Sequence, residues 1–334
     1  MIKRFLKYHP VHKKLVPNLD IVFLLRPTFF FSVWVMVAIG MSSAQMHLVD
    51  YPLWITEFSW RTFFAFLGLT FVCSSTFILN QIPDEKNDAV NKKLFIIGKH
   101  ISLEKSQSIA NILLISGLVI SLVANWFTAI LVGCIYLVWG IIYNQKPFNW
   151  KRKPILGWLA NSVVGGLLFT IGWFLVMKSQ LNNGIIYLDI SLFEYMMPYL
   201  LCFSSVALLT TLPGMQGDTE SGDQIFLVEY GKISTLILSL IFICVAFVVA
   251  LQHGDPLAST AALVSIPFFV FTVIRRFEKD VLRAIRYPIF ILNFFTLSIY
   301  PWLFVPLVIT FYLSKYYYWH RFDIHYPTFL VDHD

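Results

Sequence analysis

The chain has 334 residues, 57% hydrophobic and only 13% charged, whereas a soluble domain of this size carries roughly 25% charged residues. That deficit excludes an ordinary soluble enzyme and predicts a polytopic membrane protein. The net charge of +6 reads as topology and contact with anionic membrane lipids, not as nucleic-acid binding.

In chain order, residues 1–20 form a basic collar containing Pro10 and Pro17. Nine apolar stretches follow, at approximately 28–46, 62–79, 106–124, 127–142, 155–177, 194–212, 233–251, 258–274 and 288–312. Each is a candidate span, since about 20 residues cross the hydrocarbon core. The first apolar run is read as a span and not as a cleaved signal. The fold class is therefore all-α: nine transmembrane helices in one bundle over residues 21–318. A C-terminal tail, 319–334, which follows the tyrosine run 316–318, carries His320 and His325 as surface residues on the far face. Cys73, Cys134, Cys202 and Cys244 all fall in apolar stretches without CxxC spacing, as buried thiols do.

With the N-terminus cytoplasmic and nine alternating helices, all but Arg61, Lys178, Lys315 and Arg321 of the 25 Lys and Arg fall on the cytoplasmic face. This orientation, in a plasma or inner membrane, brings three polar loops to one side. Two of them are related. Asn80-Gln81-Ile82-Pro83-Asp84-Glu85-Lys86-Asn87-Asp88 and Thr210-Thr211-Leu212-Pro213-Gly214-Met215-Gln216-Gly217-Asp218 align at an offset of 130 residues, joining Pro83 to Pro213 and Asp88 to Asp218. They follow the second and sixth stretches, which predicts a four-helix pseudo-repeat, and duplicated membrane halves place their site where the repeats meet.

Carboxylates at helix ends in a membrane are costly and usually serve an ion or a substrate. Asn80, Asp84 and Asp88 share one face if the helix continues, although Pro83 kinks it. Oxygen ligands of this kind suit Mg²⁺ bound together with a substrate phosphate. Lys92 and Lys93 follow the first loop, and the third loop, Tyr143 to Pro154, carries Lys146, Lys151, Arg152 and Lys153. Carboxylates beside cations are what a diphosphate requires; any one of these cations, taken alone, is equally a topology charge.

These residues resemble the UbiA superfamily of membrane prenyltransferases. The family's first motif is matched by Asn80, Asp84 and Asp88, and its continuation is similar to Asn91-Lys92-Lys93-Leu94-Phe95. Its Tyr-Ser-x-Pro-Pro-x-Arg-x-Lys loop is similar to Tyr143 through Lys151, with Asn144 for the Ser and Asn149 for the Arg. Its Pro-Asp-x-Glu-Gly-Asp core is worn here, with Gly214 for Asp and Gln216 for Glu, while Asp218 is kept and Glu220 and Asp223 lie nearby. Gln81 stands where Asp is more usual. The resemblance implies Mg²⁺ on Asp84, Asp88 and Asp218, which are also the catalytic set. It further implies a prenyl diphosphate donor bound by Asn80, Lys92, Lys93, Tyr143, Lys151 and Lys153, and a lipophilic acceptor of quinone-precursor, carotenoid or isoprenoid-lipid type. The worn second motif leaves open a catalytically impaired lipid- or diphosphate-binding protein. A transporter fits less well, because the charges lie in loops and not at the bilayer midplane.

Overall fold

In lipid a backbone must satisfy its own hydrogen bonds, so long apolar stretches fold as helices. The computed structural model describes residues 9–48, 58–83, 96–177, 189–220 and 224–327. Within them the elements are α1 (Pro10–Leu24), α2 (Phe30–Leu48), α3 (Trp60–Gln81), α4 (Leu103–Ala124), α5 (Trp126–Ile135, continued as a π-helix over Tyr136–Ile142) and α6 (Pro154–Val176). The second part holds α7 (Ile190–Leu209), the short α8 (Met215–Glu220), α9 (Phe226–Gln252), α10 (Pro256–Arg275), α11 (Glu278–Ile299) and α12 (Phe304–Phe322). Among the described residues eight helices are long and apolar enough to cross a membrane, and Trp126–Ile142 is a shorter apolar helix.

The repeat is visible in where helices begin. Trp60 and Ile190 open α3 and α7, and Trp126 and Pro256 open α5 and α10, each pair at the offset that joins Pro83 to Pro213. The caps correspond too. The Asn125 side chain accepts from the Thr128 N–H at 2.7 Å, and Asp255 accepts from the N–H groups of Leu257 and Ala258 at 2.9 and 3.0 Å. Each satisfies donors that a helix start leaves open.

The main core is built by α2, α3, α5, α6 and α7 around Val37, Leu69, Val132, Phe169 and Tyr199. Membrane helices gain little from hydrophobicity against one another and associate through close backbone approach. A Cβ on Gly40 of α2 would overlap the Phe169 carbonyl, and one on Gly172 of α6 would overlap the Val37 carbonyl, so this pair of helices needs glycine at both points.

Two expectations are corrected at the C-terminus. The stretch 288–312 is not one span: α11 already begins at Glu278, and the chain breaks at Tyr300 and Pro301. The early start has an electrostatic reason, because Asp280 in the first turn pairs with Arg275 (2.9 Å) and Arg283 (3.2 Å) and so admits basic residues into the helix. The break follows from Pro301, which has no N–H to donate, and apolar residues on both sides hide it from hydropathy. The second correction is that the described part of the tail, through residue 327, does not lie on the far face. At its start, Tyr300 Oη donates to Gln45 Oε1 at the far end of α2 (3.0 Å), and Trp302 packs on Phe66 with ring centroids 5.4 Å apart. From there α12 runs back for 19 residues, about 28 Å at the helical rise. Its end packs on α1 and on Ile78 and Leu79 at the loop end of α3. Arg321 pairs with Asp20 at 2.6 Å, and His320 lies against His12 with centroids 4.4 Å apart. Arg321 therefore joins the basic residues of the loop face, and the charge asymmetry is sharper than the sequence predicts. The collar residues from Pro10 onward are helical, and α12 continues beyond position 319.

Candidate active site

The third loop is the best-described wall of the site. The π-helix at the end of α5 tightens onto Tyr143, whose N–H donates to Val138 O at 2.8 Å. Such π segments cost regular hydrogen bonding and gather at functional positions. The loop then folds back: the Lys151 N–H donates to Tyr143 O at 3.1 Å, and Asn144 Nδ2 donates to Trp139 O at 2.6 Å. Asn149 takes a left-handed conformation (φ 41°), which Asn tolerates better than most residues; that accounts for Asn at this departure from the family pattern. The closing turn Trp150–Arg152 rests on the first turn of α6, where a Cβ on Gly157 would come within 2.9 Å of Trp150 O. The geometry sets Lys151 and Arg152, both half-buried, and the exposed Lys153 at the N-terminus of α6. Three cations are thereby added to the positive end of a helix dipole, a place where an anion is stabilised.

Tyr143 also lines an apolar cavity of about 310 Å³. Met36 of α2, Phe203 and Val206 of α7 and Leu292 of α11 form its walls. Its lining runs along α7 from Thr210 near the loops to Tyr199, about 16 Å deeper by helical rise. The Tyr199 ring is fixed, since its hydroxyl donates to Asp255 Oδ1 at 2.9 Å, the same oxygen that caps α10. Asn161 of α6 lines the cavity beside Tyr143. Its Oδ1 accepts from Trp139 Nε1 at 2.9 Å and its Nδ2 donates to Gly157 O at 3.1 Å, linking cavity wall, π-helix and basic turn. Sequence reasoning passed over Asn161, although a lone amide in the otherwise apolar helix 154–176 was the available signal. It also passed over the Tyr199–Asp255 pair, whose partners are far apart in the chain.

The two acidic loops are only partly described. Asn80, half-buried, sits in the last turn of α3. Asp84, Asp88, Lys92 and Lys93 lie outside the described residues, so the common face predicted for Asn80, Asp84 and Asp88 is not seen. Asp218 falls on α8 with its side chain undescribed, as is that of Gln216; Asp223 lies outside as well. Glu220 and Pro213 line a second, open cavity of about 550 Å³ at this end, together with Lys232 and Glu278. Among the described residues no three His, Cys, Asp or Glu side chains gather as a metal site. The expected metal ligands Asp84, Asp88 and Asp218 are carboxylates, the hard-oxygen type of donor that Mg²⁺ takes.

Gln81 is used differently from what its place in the motif suggests. It is buried (8% exposed), and its Nε2 donates to Leu24 O at 2.9 Å and to Phe77 O at 3.0 Å, turned toward α1. The four cysteines are free, and Cys202 lines the apolar cavity.

The model of the UbiA prenyltransferase family matches residues 33–299. The chain is 27% identical over 230 residues to "Probable homogentisate phytyltransferase 2, chloroplastic" of Oryza sativa subsp. japonica, covering 65% of this chain and 55% of that protein. It is 26% identical over 204 residues to the 2-acylphloroglucinol 4-prenyltransferase of Humulus lupulus, covering 58% and 48%. The match thus spans about half the length of these curated relatives. Among solved structures, a UbiA homolog from Archaeoglobus fulgidus bound to GPP and Mg²⁺ has the same fold, with a TM-score of 0.58 at 15% identity over 83% of this chain and 99% of that one.

Proposed function

Because the chain belongs to the UbiA prenyltransferase family, we propose that it is a membrane prenyltransferase moving an allylic prenyl group from its diphosphate to an electron-rich, lipophilic acceptor. The observation that carries this reading is one juxtaposition: the basic turn Lys151–Lys153 is hydrogen-bonded to Tyr143, and Tyr143 lines the apolar cavity. A diphosphate head and a hydrocarbon tail need that pair of environments side by side.

The diphosphate lies between the acidic loops and the basic turn. Asp84, Asp88 and Asp218 would hold Mg²⁺, whose charge would neutralise the diphosphate and make it a better leaving group. Asn80 donates from its amide, and Lys92, Lys93, Lys151 and Lys153 compensate the charge that grows on the leaving oxygens. The carbon–oxygen bond breaks with both electrons staying on the diphosphate, leaving an allylic cation at the cavity mouth. The Tyr143 ring there offers the negative face that attracts such a cation. The prenyl tail, lying along α7 toward Tyr199, holds the reacting carbon in place, so fixed proximity and preset charge provide the acceleration. An electron-rich carbon or oxygen of the acceptor then attacks the cation, and the proton it carried is lost.

The names of the relatives, a homogentisate phytyltransferase and an acylphloroglucinol prenyltransferase, favour a phenolic acceptor of the quinone-precursor type over the carotenoid and isoprenoid-lipid types. The concentration of Lys and Arg at the loop face favours a cytoplasmic active site. The test uses the full chain in lipid nanodiscs with Mg²⁺, geranyl or geranylgeranyl diphosphate and homogentisate. Diphosphate release accompanied by a prenylated phenol is the expected result. Donor binding without turnover would instead favour the impaired reading, for which Gly214 and Gln216 are the grounds.

A further inference from the structure

The helices α1 and α12 both lie outside the family match of 33–299, yet they meet at the stems of the first acidic loop. Asp20 of α1 is 4% exposed. Its Oδ1 accepts from Tyr317 Oη at 2.6 Å and its Oδ2 from Arg321 Nη2 at 2.6 Å, both on α12. Phe23, one turn on, stacks on the Tyr317 ring with centroids 3.9 Å apart and planes 1° from parallel. A buried carboxylate with a guanidinium and a phenol as partners holds two helices in one register, because slipping either helix strands a charge.

That pair is tied to the loop on both sides. Before it, the Leu24 carbonyl that ends α1 accepts the Gln81 amide at 2.9 Å, and Ile78 and Leu79 pack into the same cluster as Phe23 and Tyr317. After it, Ile96, Ile97 and Ile101 enter that cluster. The segment carrying Asp84 and Asp88 therefore leaves and re-enters described structure on one apolar platform supplied by α1 and α12. The main core of α2, α3, α5, α6 and α7 is a separate cluster.

We propose that Asp20, Tyr317, Arg321 and Gln81 are positioning residues for Asp84 and Asp88: the α1–α12 clamp fixes the stems of the metal- and diphosphate-binding loop. The clamp acts through the loop, with none of its members touching substrate. The proposal rests on the reading that Asp84 and Asp88 serve the reaction.

The test compares Asp20→Asn, Arg321→Met, Tyr317→Phe and Gln81→Leu with wild type in nanodiscs. Lys315→Ala, an exposed change on the same helix, serves as control. Supporting residues around a metal ligand set are typically worth about 10–100-fold in metal affinity. The Mg²⁺ concentration at half-saturation and the donor KM should rise by that order, while kcat at saturation falls less. Hydrogen exchange over 78–82 and 96–101 should quicken in the same variants and stay slow in α6 and α7. Arg321→Lys should recover part of the Mg²⁺ affinity that Arg321→Met loses. Unchanged Mg²⁺ half-saturation, KM and exchange in a folded Tyr317→Phe or Gln81→Leu protein would overturn the clamp, as would faster exchange spread evenly over the bundle. Asp84→Asn separates the two ideas: turnover surviving that change sinks the underlying function, whereas a dead Asp84→Asn beside indifferent clamp variants sinks the clamp alone.

Discussion

The ends of α3 and α7 occupy equivalent places in the repeat but are held in opposite ways. At the end of α3, Gln81 reaches across to the backbone of α1, and the α1–α12 pair covers the turn. At the end of α7 the equivalent position is Thr211, whose hydroxyl turns back to its own helix and donates to Leu208 O at 2.7 Å; Thr210 does the same to Ala207 O at 2.7 Å. The first end is braced by other elements and carries both motif carboxylates. The second opens onto a cavity of about 550 Å³ and carries Gly214 and Gln216 where the family pattern suggests acidic residues. Bracing by other elements and paired acidic residues thus occur together at one end and are both reduced at the other. The deeper ends reverse the pattern: Asn125 only caps α5, while Asp255 caps α10 and also fixes Tyr199.

The sharpest way to break this comparison is to remove a carboxylate from the braced half. Removing a group that stabilises developing charge typically costs about 10²–10³-fold in turnover, and Asp84→Asn should lose that much diphosphate release. A fully active variant would end the claim that this half carries the chemistry. At the deep ends, Asp255→Ala removes a double cap and leaves a buried Tyr199 hydroxyl without its acceptor, a loss of about 3 kcal/mol. Asn125→Ala removes a single cap, a loss of about 1 kcal/mol. Denaturation of both variants in detergent would measure this, and equal losses would erase the asymmetry. Of similar size to the single cap is the gain from restoring symmetry. Gly214→Asp returns a ligand to the relaxed half and should lower the Mg²⁺ requirement by roughly tenfold, since affinity follows ligand charge count. No change would mean that the turn before α8 does not bring position 214 to the metal.

Much of this architecture was legible because its causes are local. Long apolar runs, polar breaks and charge bias fix helices and faces without reference to partners. The offset of 130 residues that joins Pro83 to Pro213 also predicts where α7 and α10 begin. The basic loop was legible as composition, yet its seating on Gly157 depends on a backbone contact that no pattern records. What hydropathy misread was the C-terminus. Pro301 stands among Tyr300, Trp302 and Leu303, so a hydropathy window runs straight through a break made by a missing N–H. The return of α12 is set by Asp20 and Arg321, which lie 301 positions apart. A pairing at that separation leaves no periodic trace, and each residue alone reads as a solvated charge. Gln81 is a further instance: within its motif it looks like a weakened ligand, and only the position of Leu24 O reveals a brace.

The smallest expected effect is acid sensitivity confined to the braced half. His100 follows the first acidic loop, its ring 6.3 Å from that of Phe322; the equivalent position in the repeat is Tyr230. Burial lowers the His100 pKa below its ordinary 6.5, and the nearby Arg321 and Lys99 lower it further, against an opposing pull from Asp20. The folded protein thus refuses a proton that the unfolded chain accepts, so stability is complete above about pH 6.5 and declines as pH falls below it. Thermal unfolding midpoints between about pH 7.5 and 5.5 should fall less steeply in His100→Gln than in wild type. In Asp20→Asn the decline should steepen, because a carboxylate favouring the charged ring is gone. Superimposable pH profiles for wild type and His100→Gln would detach His100 from the clamp. A flatter profile in Asp20→Asn would mean that Asp20 does not act on the ring through its charge.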